Sequence, residues 1–368
     1  MKTYFVTGAT GAIGSALVPL LLEDATTEVR LLLRAPTAEA LALRLENLFA
    51  FWRIDASDEA IRSRVKVFRG DATLPQFALA DDAYRALSAE CTHVIHAAGN
   101  VRMNLPLAQA RHSSVDSALN IIAFARACAQ LVKVEFVSTV GVGGKLAGAV
   151  PEEWITTQRD FHNTYEEAKA DAEGNIRAAL EGGLPLTVHR PSMVVGDAVS
   201  GRIIHFQIFY HLCEFLSGRR TAGLSPRLGP TRLDIIPSDY VARIIAWSSV
   251  NTLSTGRILH SCSGPRHALP LAQLRDTVRL AFARAGRNLP RIVTLRPAAF
   301  LTLLRAASLF LPSGTRRAMK TLPVFLDYLA TEQIFANDAT QALLAPVGLA
   351  LPESASYLDR VLAYYLDQ

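Results

Sequence analysis

Residues Thr3–Leu22 read TYFVTGATGAIGSALVPLLL, a short apolar strand, a glycine-rich turn and a helix with nothing between them. Glycines at Gly8, Gly11 and Gly14 permit a tight bend and a close backbone approach to a pyrophosphate, whose charge then faces the helix N-terminus. A glycine pattern alone is weak, but its place on the first strand with the required helix behind it is specific. Gly8, Thr10, Gly11, Ala12, Ile13 and Gly14 are therefore the expected cradle of a dinucleotide.

Working outward, further short apolar runs follow in EVRLLLR, VKVFRGD, HVIHAAG, VEFVST, LTVHRPS and GRILHSC. Each has the length and β-branched content of a buried strand, and the stretches between them are Ala/Leu-rich with helical periodicity. Strand alternating with helix predicts an α/β chain with a Rossmann-like, doubly wound parallel sheet. Residues 1–199 and 234–263 are expected to form the dinucleotide-binding domain. Residues 200–233 and 264–368 form a smaller, mostly helical and discontinuous substrate lobe. Ser238 or Asp239 reads as the N-cap of the helix containing YVARIIAW.

The chain has 368 residues, 50% hydrophobic and 19% charged, with a net charge of +5 spread thinly along it. That describes a globular protein, gives no basic run for nucleic acid, and suits a polyanionic cofactor. Cys91, Cys128, Cys213 and Cys262 lack any metal-ligand spacing, so they read as reduced thiols of a cytoplasmic protein with no metal site. Met1 leads straight into the first strand, leaving no expected signal peptide. Ala298–Pro312 is apolar but carries Arg305 and is too short to span a bilayer; a buried helix or a lid over an apolar pocket is expected there.

The second strand ends LLLR, which puts Arg34 where an NAD-preferring fold carries an acid. A guanidinium there can grip a 2′-phosphate, so NADP(H) is the expected cofactor. Asp71 and Ala72 follow the third strand, where an adenine amino group could be met, and Ala97-Ala98-Gly99 follow the fourth, where small residues let ribose and phosphates lie on the sheet. In NTYEEAKADAE, Tyr165 and Lys169 lie four apart and share one helical face. An ammonium one turn away is expected to lower the tyrosine pKa and fit it for proton transfer.

The motifs TGATGAIG, RGDAT, HAAG, FVST, YEEAK and RPSMVVGD occur in the order of the extended short-chain dehydrogenase/reductases, and Met1 to about Ser263 resembles that superfamily. LLLRAPTAEALALRL, VIHAAGNVRMNLP, STVGVGG and HNTYEEAKADAE are more similar to its thioester reductase and fatty acyl-CoA reductase branch. The resemblance implies Tyr165 as proton donor, Lys169 as the residue that holds the nicotinamide ribose and tunes Tyr165, and Thr139 as the family's hydroxyl, ahead of Ser138. It also implies that Pro191, Ser192, Met193 and Val194 line the nicotinamide. Ser114, Ser117 and Ala118 stand where the pattern commonly has Asn, Gly and Thr, Ser192 replaces a usual glycine, and GVGG replaces an aromatic-containing turn after Thr139.

The implied function is NADPH-dependent reduction of an acyl thioester or a derived aldehyde. The acyl group is expected on coenzyme A or a separate carrier. Arg202, Arg219 and Arg220 either meet its phosphates or serve as surface charges. The alternatives are reduction of a flavonoid- or steroid-like ketone or aldehyde, a sugar-nucleotide epimerase or dehydratase, and an NADP-binding protein without catalysis. No nucleic acid or membrane partner is expected, and a homodimer is compatible with the sequence.

Overall fold

The computed structural model describes residues 1–55, 57–296, 298–300, 302–303 and 333–368. Most of Ala298–Pro312 lies outside them, and with it the expected helix or lid.

Seven parallel strands form the central sheet: β1 (Lys2–Thr7), β2 (Thr27–Leu33), β3 (Val65–Arg69), β4 (His93–His96), β5 (Lys133–Val137), β6 (Leu186–Pro191) and β7 (Ile258–Ser261), in the order β7-β6-β5-β4-β1-β2-β3. These are the seven apolar runs of the sequence, and the fold is the Rossmann-like one expected. Helices cover both faces, which is why the strands read as continuous apolar runs rather than alternating ones. One face packs on α1 (Ala12–Leu22), and its core, including Leu17, Val18, Ile244 and Ile245, continues into the C-terminal helices through Val278 and Val361. The other face is built around Phe5, Phe77, Phe124 and Phe136.

The strand order reverses between β1 and β4, which pair in register from Tyr4↔His93 to Thr7↔His96. Chain segments leaving these two strands diverge to opposite faces and open a crevice at the carboxyl ends, the place where open α/β sheets bind ligands. Past β6, a short strand Met193–Val195 pairs with Ile235–Pro237 at the same end.

Two local expectations change. The helix Ser238–Ser249 follows Pro237 with no side-chain cap, and Asp239 instead accepts a hydrogen bond from the Ala198 amide at 2.8 Å. The C-terminal third also contributes short strands: Ile334–Phe335 pairs with Ala149–Val150, and Thr340 Oγ1 accepts from the His260 amide of β7 at 2.9 Å. The C-terminal segment thereby packs against the β7 edge of the sheet. Among the described residues no helix is long and apolar enough to cross a membrane.

Candidate active site

Two adjoining cavities lie at the carboxyl ends of the strands and share Gly11, Ala97, Ala98 and Gly99. Gly11 of the glycine turn therefore lines both. Gly8 has φ +83°, and a Cβ there would sit 2.4 Å from the Ala97 carbonyl carbon, so only glycine lets the turn close against the end of β4. A Cβ at Gly14 would stand 2.2 Å from the Gly8 oxygen, which requires glycine where the first helical turn backs onto the bend. Gly11 caps α1 without any side-chain hydrogen bond, leaving helix-terminal amides for an anion. This cradle fits a dinucleotide pyrophosphate.

The inner cavity brings together Thr139, Tyr165 and Lys169 with Ile13, Met193 and Val194. Tyr165 and Lys169 lie on α2 (Thr164–Glu181), whose start is fixed by Asn163 Oδ1 accepting from the Glu166 amide at 3.0 Å. Thr139 follows β5 and accepts from the Gly141 amide at 3.1 Å, so its own hydroxyl hydrogen remains for another acceptor. The Tyr165 and Thr139 side chains are hydrogen-bonded; Ser138 is buried and its hydroxyl has no protein partner. Lys169 is 4% exposed, donates to the Val137 carbonyl at 3.1 Å, and lies close to Gly99, where a Cβ would come within 3.4 Å of Nζ.

The expected lowering of the tyrosine pKa is not what this site produces. Burial pushes Tyr165 up to about 12 and outweighs its hydrogen bond with Thr139, with Glu166 adding to the rise. The phenol therefore stays protonated through the neutral range. Burial likewise takes Lys169 down to about 8, against the opposing pull of Glu173. Glu173 is one further turn along the same face and binds Arg190 of β6 through both carboxylate oxygens, at 2.9 and 2.6 Å. The 165/169/173 spacing carried that signal, but its buried arginine partner lies on another strand.

The outer cavity contains Gly8, Thr10, Arg34, Asp71 and Ala72. Arg34 projects with a 76% exposed side chain and stands 3.9 Å from Asp71 Oδ2. Asp71 Oδ1 is occupied by the Thr73 amide and hydroxyl, both at 2.9 Å, so half of this carboxylate shapes the turn. Arg44 and Arg69 border the same outer end and were missed by sequence reasoning, because they come from a helix and a strand end with no shared motif. Of the other arginines considered, Arg202 donates to the Phe51 carbonyl at 2.7 Å, and Arg219 and Arg220 lie 3.8 and 3.9 Å from Glu214. Among the described residues no group of three or more His, Cys, Asp or Glu is placed to hold a metal ion.

A doubly wound sheet with a glycine turn at its switch point and a Tyr–Lys pair beside it defines an NAD(P)-dependent oxidoreductase of the extended short-chain dehydrogenase/reductase class. The chain belongs to the NAD-binding family described as "Male sterility protein", whose model matches residues 6–245. It is 30% identical over 200 residues to isonitrile lipopeptide synthase of Streptomyces coeruleorubidus, covering 54% of this chain and 13% of that protein. It is 28% identical over 312 residues to the large subunit of L-2-aminoadipate reductase of Penicillium chrysogenum, covering 79% of this chain and 21% of that protein. The chain thus spans only a small part of the length of these relatives. The terminal R domain from the myxalamid PKS-NRPS biosynthetic pathway has the same fold, with TM-score 0.82 at 22% identity over 100% of this chain and 91% of that one.

Proposed function

We propose that this chain uses NADPH to reduce the carbonyl of an acyl thioester, or of the aldehyde derived from it. The observation that carries this reading is the meeting of Thr139, Tyr165 and Lys169 in one cavity that opens onto the glycine turn. The reductase name of the Penicillium relative supports it. In this reading residues 1–199 and 234–263 hold the dinucleotide, and 200–233 and 264–368 shape the substrate side.

Bound NADPH supplies the hydride. Thr139 donates its hydroxyl hydrogen to the carbonyl oxygen as negative charge develops there, and Tyr165 delivers the proton. The raised Tyr165 pKa keeps that proton in place until the oxygen becomes basic enough to take it. Lys169 holds the nicotinamide ribose between the end of β5 and Gly99. Pro191 and Ser192 line the same cavity, and Val101, Met103, Val140 and Ile208 give it an apolar lining suited to an acyl chain. A thioester would first give a hemithioacetal, which collapses to aldehyde and thiol. Arg34, Arg44 and Arg69 at the outer end suit the 2′-phosphate, and Asp71 and Ala72 border the adenosine.

The test is turnover of NADPH with a panel of acyl-CoAs, carrier-bound acyl groups, aldehydes, ketones and nucleotide sugars. Acyl thioesters or aldehydes should be reduced with net cofactor oxidation. Turnover confined to nucleotide sugars without net oxidation would overturn the proposal.

A further inference from the structure

The segment 201–208 runs past the outer cavity and then the inner one, and is pinned at successive points. Gly201 has φ +71° and lies so close to the Arg360 carbonyl that a Cβ would be 2.2 Å from its oxygen. Arg202 reaches the other way, donating to the Phe51 carbonyl at 2.7 Å with its guanidinium 4.8 Å over the Phe51 ring. Phe206 packs its ring against Tyr210 and Tyr365, each with centroids 4.8 Å away. Between these anchors His205 lines the outer cavity, which Thr10 and Gly11 also line. Gln207 and Ile208 line the inner one.

The Arg, Asp and His side chains of the outer cavity divide between its two ends. Arg34, Arg44 and Asp71 also border the outer arginine pocket, whereas His205 does not and shares the cavity with the glycine turn. A dinucleotide carrying a 2′-phosphate has two anionic centres, and the arginines lie at one end only. The glycine turn offers backbone amides to the other centre from below. His205, carried on the pinned segment, brings an imidazole N–H to the same cavity.

We propose that residues 202–208 form a fixed strap over the dinucleotide, and that His205 donates an imidazole N–H to its bridging phosphates. This rests on the NADPH reading above. It predicts that affinity for the intact dinucleotide depends on His205, while affinity for its adenosine 2′-phosphate part does not.

The test measures NADPH binding by nicotinamide fluorescence and 2′-AMP binding by calorimetry on the full chain, with wild type, His205→Ala, His205→Gln and Arg202→Ala. 2′-AMP has the phosphate suited to the arginines and lacks the bridging pair. His205→Ala should weaken NADPH about tenfold, near the lower edge of the range for a hydrogen bond to a charged group, and leave 2′-AMP unchanged. His205→Gln, which keeps an N–H donor, should recover part of the loss. Arg202→Ala loosens the strap without removing a group from the cavity and should weaken NADPH in the same direction. His205 is exposed, so thermal melting should not shift. Undiminished NADPH affinity in His205→Ala, or equal losses for NADPH and 2′-AMP, would overturn the phosphate contact while leaving the NADPH reading intact. Undiminished affinity in Arg202→Ala would overturn the fixed strap. A wild-type protein that does not bind NADPH would overturn both the strap and the reading beneath it.

Discussion

At the inner end of the groove Lys169 is 4% exposed and its neighbour Tyr165 has its pKa raised to about 12, whereas at the outer end the Arg34 side chain is 76% exposed and stands 3.9 Å from a half-occupied carboxylate. Both ends carry cations, yet their surroundings differ in kind. Inside, desolvation controls protonation, and hydrogen bonds to the Val137 carbonyl and from the Gly141 amide fix the positions of Lys169 and Thr139. Outside, solvent and salt surround the guanidinium groups, so the role proposed for them is selective attraction rather than chemistry. Substitutions at the two ends should therefore separate rate from cofactor choice.

The largest effect should come from the inner end. Tyr165→Phe is expected to lower kcat by about 10²–10⁴-fold, the usual range for loss of a positioned general acid, with NADPH affinity nearly unchanged. An active Phe variant would remove the proton-donor role and with it the contrast. Next, Arg34→Ala combined with Arg44→Ala should weaken NADPH by about tenfold or more, as expected for lost charged hydrogen bonds, and affect NADH little. Equal losses for both cofactors, measured by titration, would place the discrimination elsewhere.

A smaller effect should follow pH. With Lys169 lowered to about 8, the ammonium is present below that pH and lost above it, so NADPH affinity should decline as pH rises through 8. The sign for folding is opposite. Between about 8 and the ordinary lysine value near 10.4, the unfolded chain binds a proton that the native chain does not, so this group's contribution to stability increases with pH. Parallel binding and denaturation curves would show the two trends diverging. The smallest expected change is with salt: raising ionic strength should reduce the preference for NADPH over NADH, because the exposed arginines are screened, and should leave the Tyr165-dependent step unaffected.

The inner end and the sheet were legible because each signal lay within one short stretch of chain. Strand, turn and helix are contiguous in Thr3–Leu22, and Tyr165 and Lys169 are one turn apart on one helix. Arg34 was visible as the residue closing β2, but Arg44, Arg69 and His205 were not, since only the folded chain brings a helix, a strand end and a crossing segment to one groove. The tyrosine pKa was misread for a related reason. Spacing reports the neighbouring ammonium but not the burial that dominates it. The short strand Ile334–Phe335 escaped notice because two residues leave no periodicity, and its partner lies at Ala149–Val150.

The most direct test of the account is a single-turnover reaction of the NADPH complex with an acyl-CoA, following cofactor oxidation, free thiol and aldehyde together. One NADPH should be oxidised for each thiol released and each aldehyde formed in the first reduction, with all three signals suppressed alike in Tyr165→Phe. Thiol release without NADPH oxidation, or undiminished oxidation in the Phe variant, would contradict it.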